Sequence, residues 1–308
     1  MYTNFFDLKT IDDRPSVLTI GVFDGIHVGH QKLFREIINL SKENNFQSIV
    51  ITFKNHPKEF LRPKEKFSIL TDIEFRRKKI IDCGIENVFI LEFNQALASL
   101  NFSDFIKKLK KELNLKILVV GKDFAMGKNR LGTVENIKNL ETELEFDLYV
   151  VKPALIDGIV VKSSEIRKLL LDGNVKLANR YLNRHFTLSG KVIEGNKRGR
   201  TLGFPTANVQ VNPLQLIPKD AVYATKTKIN DEIYFSATSI GSNPTFKDQS
   251  KSIETYLIDF HGDLYNKTIE IEFIESIREQ KMFSDVTKLI ETMKEDIFKI
   301  KNILKEKK

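Results

Sequence analysis

The chain has 308 residues, 41% of them hydrophobic, with 23 phenylalanines and a formal charge of +8. That length suits two ordinary domains with real cores, and no 18-residue apolar span offers a membrane-crossing helix. The lone cysteine, Cys83, excludes an internal disulfide and a thiolate metal cluster, and the basic excess suits a polyanion without any long basic block or zinc-finger spacing to specify nucleic acid.

The first residues, MYTNFFDLKT, lack the basic region, apolar core and small-residue cleavage signal of a secretory peptide, so the cytoplasm is the expected compartment. Short apolar runs predict strands at Val17–Val22, Ser48–Phe53, Asn87–Leu91, Ile117–Val120 and Leu148–Val151, separated by helical segments such as HQKLFREIINLSKENN. The alternation predicts an α/β domain with a mainly parallel sheet. Ligands of such sheets gather beyond the carboxyl ends of the strands, where residues 23–30 fall.

That region belongs to GVFDGIHVGH, residues 21–30. With a strand ending before it and a helix starting near Val28, Gly21, Gly25 and Gly29 permit tight turns and close ligand approach, and the amides of the helix start favour a phosphate. His27 and His30 stand one helical turn apart and can converge on one anion; a pair of capping or turn histidines is the other reading. No third zinc ligand is visible in the spacing. Further on, His56 precedes Pro57 in TFKNHPKEF, which partly fixes the turn after the second strand.

SSEIRKLLL, residues 163–171, predicts a serine-capped helix with its exit at the following DG. The hydroxyls of Ser163 and Ser164 and the fork of Arg167 suit polyphosphate oxygens, although a plain cap with a solvated arginine fits the same residues. A second helix through LANRYL closes the first domain in this reading, giving domains over 1–184 and 185–308.

Beyond Arg184, extended segments at Phe186–Ile193, Ala221–Lys226, Ile233–Ser239, Ile253–Asp259 and Thr268–Phe273 predict a small antiparallel sheet or barrel. Val286, Leu289, Ile290, Met293, Ile297, Ile300 and Leu304 recur at helical intervals and predict an amphipathic helix covering it. GRTLGFPTAN, residues 199–208, is the sharpest single motif. Gly199 and Gly203 loosen a loop, Pro205 directs it, and Thr206 and Asn208 alternate so that both can face one site. Their hydroxyl and amide oxygens are hard ligands of the kind Mg²⁺ accepts, while a hairpin that satisfies its own turn is the alternative.

GVFDGIHVGH resembles the H-x-G-H signature of nucleotidyltransferases, and its FDG-x-H-x-GH form is similar to that of bacterial bifunctional riboflavin kinase and FAD synthetase. TFKNHPKEF, VVGKDFAMG and VKSSEIRKLL follow in the order of that family. PTAN, SIGSNPTF, ETYLIDF, DLYNKTIEIEFIESIREQKMF and a terminal helix then resemble its riboflavin kinase half. The resemblance implies a Rossmann-like nucleotidyltransferase domain followed by a small antiparallel β-barrel kinase domain with a C-terminal helix. ATP, Mg²⁺, riboflavin, FMN and FAD are the implied ligands. Riboflavin would be phosphorylated to FMN, and FMN adenylylated to FAD with release of pyrophosphate.

The same resemblance implies ATP-phosphate contacts for His27, His30, Ser163, Ser164 and Arg167, within a nucleotide loop that includes Gly21, Phe23, Asp24, Gly25 and Gly29. It sets Asp123 near flavin and nucleotide, and His56 and Phe60 near the flavin. In the second half it implies nucleotide contact for Gly199, nucleotide and magnesium binding by Thr206 and Asn208, and a general base at Glu254. Arg278 is implied as a flavin or phosphate contact, or else a salt-bridge partner. Lys162 replaces a small polar residue of the family and either adds phosphate affinity or crowds the loop. Asp220 and Ala221 stand where a glycine usually precedes VYA. A kinase with a weak adenylyltransferase half, and a flavin- or RNA-binding regulator, are the other readings. No membrane partner or specific nucleic acid is expected, and the oligomeric state stays open.

Overall fold

Apolar runs form the centre of the first unit. In chain order they are a short β1 (Tyr2–Thr3), β2 (Ser16–Ile20), β3 (Gln47–Phe53), β4 (Asn87–Leu91) and β5 (Leu115–Gly121). The hairpin of β6 (Ala125–Met126) and β7 (Gly132–Thr133) precedes β8 (Asp147–Val151), and β9 (Leu155–Ile156) pairs with β10 (Ile159–Val160). Every residue of β2 and β3 is buried, as parallel strands covered on both faces require. The sheet is parallel throughout, in the order β1-β4-β3-β2-β5-β8.

Alternating side chains feed two cores. Leu18, Ile49 and Leu118 pack with Phe105 and Leu109 on one face, while Val17, Val50 and Val119 pack with Phe34 and Ile37 of helix α1 (Val28–Asn44) on the other. Strand order reverses at β2, whose neighbours β3 and β5 lie on opposite sides, so a crevice opens beyond the carboxyl ends of β2 and β5. The expected strand at Asn87–Leu91 has the observed bounds. β2 stops at Ile20, short of the predicted Val22, because the chain turns at Phe23 with φ 50°.

The computed structural model describes residues 1–9, 12–195, 199, 202–242, 251–283 and 285–305; residues 200–201 of GRTLGFPTAN and 243–246 of SIGSNPTF lie outside these. Its two compact units are Met1–Ser163 and Ser164–Lys308, so the helices Ser163–Leu171 and Val175–Leu182 run almost wholly in the second. Asn179 fastens the latter helix to the strands that follow: it donates to the Phe273 carbonyl and accepts from the Phe186 amide, both at 2.7 Å.

Those strands are β11 (Phe186–Ile193), β12 (Ala207–Val211), β13 (Ala221–Ile229), β14 (Glu232–Ser242), β15 (Lys251–Leu257) and β16 (Thr268–Glu279). They close into a barrel in the order β11-β12-β15-β14-β13-β16, which removes free sheet edges. β12 is an addition to the predicted strands. Inside, Thr225, Thr227, Ser236, Thr238 and Thr255 are fully buried. Their hydroxyls bond one another at 2.8–2.9 Å, from Thr227 through Ser236, Thr225 and Thr238 to Thr255. The terminal helix Val286–Lys305 sets Ile297, Ile300 and Leu304 against Ala224 and Ile274, as its periodicity predicts. Asp220, just before β13, is ion-paired with Lys251 at 2.8 Å. Among the described residues no helix is long and apolar enough to cross a membrane.

Candidate active sites

Between β2 and α1 the chain makes an unusually bent turn, with Phe23, Gly25 and Ile26 at φ 50°, 86° and 44°. Left-handed backbone at a non-glycine residue costs about 1–3 kcal/mol, so the surroundings must hold it. Phe23 and Ile26 are buried. The Asp24 carboxylate accepts from the Leu70 amide at 2.9 Å, from the Thr71 amide at 3.0 Å and from the Thr71 hydroxyl at 3.1 Å. The Gly25 amide in turn donates to that hydroxyl at 3.1 Å. Asp24, expected in the nucleotide loop, therefore spends its carboxylate on fixing the loop's shape.

Arg76, in helix α3 (Ile73–Asp82), is 2% exposed and donates to the carbonyls of Val22, Phe53 and Thr71 at 3.0–3.1 Å. One guanidinium thus ties the chain just past β2 to the end of β3. Sequence reasoning passed over it, since one arginine of the pair in EFRRKK carries no sign of burial.

His27 caps α1: its Nδ1 accepts from the Gly29 amide at 3.1 Å, which leaves the proton of the neutral ring on Nε2 as a donor. A Cβ on Gly29 would stand 3.0 Å from the His27 ring, so glycine protects the cap. His30 stacks on His27 with centroids 3.7 Å apart, and the Phe23 ring stands nearly perpendicular to it with centroids 5.2 Å apart. Burial above all, then the electrostatic influence of the adjoining His27 and of the Arg76 guanidinium, hold the His30 pKa well below the usual 6.5. Its ring is neutral near pH 7, and its buried Nδ1 meets no hydrogen-bond partner among the described residues.

The chain returns to this loop through residues 161–163. The Ser163 hydroxyl donates to the Asp24 carbonyl at 2.9 Å, and the Val161 carbonyl lies 3.7 Å from where a Gly29 Cβ would be. Between them, Lys162 pairs with Asp123 of the loop after β5 at 3.5 Å. Ser164 and Arg167 follow in the first two turns of the same helix. The loop after β3 is separate in detail. His56 caps α2 (Pro57–Leu61) by accepting from the Lys58 amide at 3.0 Å, with Phe67 4.2 Å away, while the partly exposed Phe60 ring meets Phe93 at 5.8 Å.

In the second unit, register sets the site. β12 and β15 pair Asn208 with Glu254, and β15 and β14 pair Glu254 with Ser239. The Thr206 hydroxyl donates to Glu254 Oε2 at 3.2 Å. Thr206, Asn208 and Glu254 therefore meet on one face, as the motif predicts for the first two. A Cβ on Gly199 would collide with the Phe204 carbonyl and stand 3.3 Å from Thr206 Oγ1. Cavities adjoin both motif residues: one of about 390 Å³ is lined by Thr206, Pro205, Phe260 and Tyr265, and one of about 650 Å³ by Asn208, Glu194, Lys251 and Ser252.

Arg278, expected as a flavin or phosphate contact or else a salt-bridge partner, is paired with Asp296 of the terminal helix. Its Nε and a terminal nitrogen each donate to Oδ2 at 2.9 Å, and both side chains are largely buried. Strand and helix are locked together by this fork, and a flavin contact by Arg278 requires its release.

Residues 9–165 match the family model for FAD synthetase, and residues 182–304 match that for riboflavin kinase. The bifunctional riboflavin kinase/FMN adenylyltransferase of Buchnera aphidicola is 36% identical over 94% of both chains. The protein so described in Bacillus subtilis is 35% identical over 92% of this chain and 91% of its own. The chain belongs to the bifunctional riboflavin kinase/FMN adenylyltransferase family. It is an enzyme of that family, with a parallel-sheet nucleotidyltransferase domain and a β-barrel kinase domain. The fold of the whole family chain recurs in a crystal structure of a Streptococcus pneumoniae protein described as a macrolide-efflux protein, 32% identical with a TM-score of 0.90 over 98% of each chain.

For a riboflavin kinase/FMN adenylyltransferase the donor sets divide sensibly. Imidazole rings and the Ser163 hydroxyl gather at the N-terminal loop, whereas hydroxyl, amide and carboxylate side chains gather at Thr206, Asn208 and Glu254. Among the described residues no group of three or more His, Cys, Asp or Glu side chains offers a metal cage.

Proposed function

We propose that the barrel transfers the γ-phosphate of ATP to riboflavin and that the parallel-sheet domain joins the resulting FMN to the AMP part of a second ATP. The observation that carries the kinase half is Glu254 held by the Thr206 hydroxyl and set opposite Asn208. Glu254 accepts the proton of the riboflavin 5′-hydroxyl as its oxygen bonds to the γ-phosphorus and the bond to the ADP oxygen breaks. The hydroxyl of Thr206 and the amide oxygen of Asn208 fit Mg²⁺, a hard ion that shares its shell with phosphates and water. When bound there, Mg²⁺ supplies neutralisation of phosphate charge. Gly199 lets the Phe204 carbonyl and Thr206 come close to its backbone, and the flanking cavities give room for two substrates.

In the N-terminal half, an FMN phosphate oxygen attacks the α-phosphorus and pyrophosphate departs. His27 Nε2–H and the neutral His30 donate to phosphate oxygens as charge moves to the leaving group, with Ser163, Ser164 and Arg167 adding donors. Phe23, Asp24, Gly21, Gly25 and Gly29 shape the loop that aims the histidines. Asp123, His56 and Phe60 border the flavin in this reading.

Incubating the purified chain with riboflavin, ATP and Mg²⁺ and separating the flavins by chromatography tests both halves. FMN followed by FAD is the expected result. Unchanged riboflavin overturns the kinase reading, and FMN without FAD selects a kinase with an inactive adenylyltransferase half.

A further inference from the structure

We infer that Lys162 is a phosphate-binding residue of the adenylyl-transfer site, held at its rim by Asp123 and released to a phosphate when substrate enters; this rests on the proposed activity of the N-terminal half. Both neighbours of Lys162 are tied to the loop that starts α1, Val161 through its carbonyl beside Gly29 and Ser163 through its hydroxyl on Asp24. Consecutive Cα atoms are about 3.8 Å apart, so the Lys162 backbone cannot leave that loop while its neighbours stay. Its side chain alone decides where the charge goes. In the structure the ammonium lies 3.5 Å from Asp123 Oδ2, across the crevice end of β5.

The pair is weak by construction. Lys162 and Asp123 are 58% and 78% exposed, and exposed ion pairs contribute about 0–1 kcal/mol. A phosphate carries more charge than one carboxylate and presents several acceptor oxygens, so it takes the lysine from Asp123 at small cost. The loop beneath has hydrogen-bonding capacity to spare, since the buried His30 Nδ1 meets no partner among the described residues. Lysine suits this exchange because its charge sits on a flexible stem with three donors. Once the ammonium has moved, Asp123 is left to water, and breaking its pair with Lys162 is the small cost that limits affinity.

The phosphate belongs to ATP or to FMN, and separate titrations distinguish them. Initial rates of FAD formation from supplied FMN are measured on the full chain, varying ATP at saturating FMN and then the reverse, at low and high salt. Lys162→Gln is expected to raise one of the two KM values about three- to tenfold at low salt, with kcat within about twofold, and to flatten the salt dependence of that KM. Lys162→Arg restores most of it. Asp123→Asn lowers the same KM in the parent but not in the Lys162→Gln background, which shows that it acts through the lysine. Both KM values unchanged in K162Q overturn the inference while leaving the adenylyltransferase reading intact. An equal effect of D123N in both backgrounds overturns the restraint by Asp123, and a parent that makes no FAD overturns reading and inference together.

Discussion

The imidazoles of His27 and His30 lie face to face, 3.7 Å apart and 22° from parallel, so protonation of one opposes protonation of the other. With His27 engaged at the helix cap, His30 is the neutral donor whose removal leaves the cap in place. His30→Ala should slow conversion of FMN to FAD by about 10²- to 10³-fold, the usual cost of losing one transition-state donor. Phosphorylation of riboflavin should continue near the parent rate. Paired initial rates on folded H30A, one from riboflavin and one from FMN, decide the matter.

The same histidine makes stability depend on pH. Folded His30 holds its proton less tightly than the unfolded chain, whose imidazole titrates near 6.5. The native state is therefore favoured fully above that pH and loses stability as pH falls below it. Urea unfolding of the parent and His30→Gln from pH 7.5 to 5.5 should show the parent's advantage shrinking on acidification, by at most about 1.4 kcal/mol per pH unit. A constant gap would refute the assignment.

Glu254→Gln keeps the size of the side chain while removing the proton acceptor. FMN formation should fall by about 10²- to 10⁴-fold, with adenylylation of supplied FMN unaffected. Near-parent kinase rates would take Glu254 out of the chemistry.

Arg76→Met should destabilise the first unit by at least about 3 kcal/mol, because buried carbonyls lose charge-assisted partners. Denaturant midpoints measure this. FAD formation should suffer beyond the unfolded fraction, since the loop before His27 loses one of its anchors; a variant that keeps full specific activity would show the turn to be held without Arg76.

Chelation of Mg²⁺ by EDTA should stop FMN formation, and readdition should restore it. The Asn208→Ala variant should need a higher Mg²⁺ concentration for half-maximal kinase rate, whereas a Thr206→Val enzyme with parent-like metal dependence would remove the hydroxyl from the ligand set.

Local patterns carried the reading wherever one segment sufficed. The apolar runs disclosed the sheet, the handover from strand to helix in GVFDGIHVGH disclosed a helix start near Val28, and the repeat from Val286 to Leu304 disclosed the covering helix. What stayed hidden depends on partners far along the chain. Asp24 looks like a ligand until Leu70 and Thr71 arrive 46 and 47 residues later, and the choice between flavin contact and salt-bridge partner at Arg278 waits on Asp296, 18 residues on. β12 escaped because Gly203 and Pro205 mark the same segment as loop immediately before the strand begins at Ala207.

The chained hydroxyls inside the barrel constrain how this protein can change over generations. Each of Thr225, Ser236 and Thr238 bonds two others of the set, so replacing one by an apolar residue strands its neighbours, although replacing all five together need not cost stability. A lineage moving by single substitutions meets a valley at every step. The barrel interior is thereby inherited as a block.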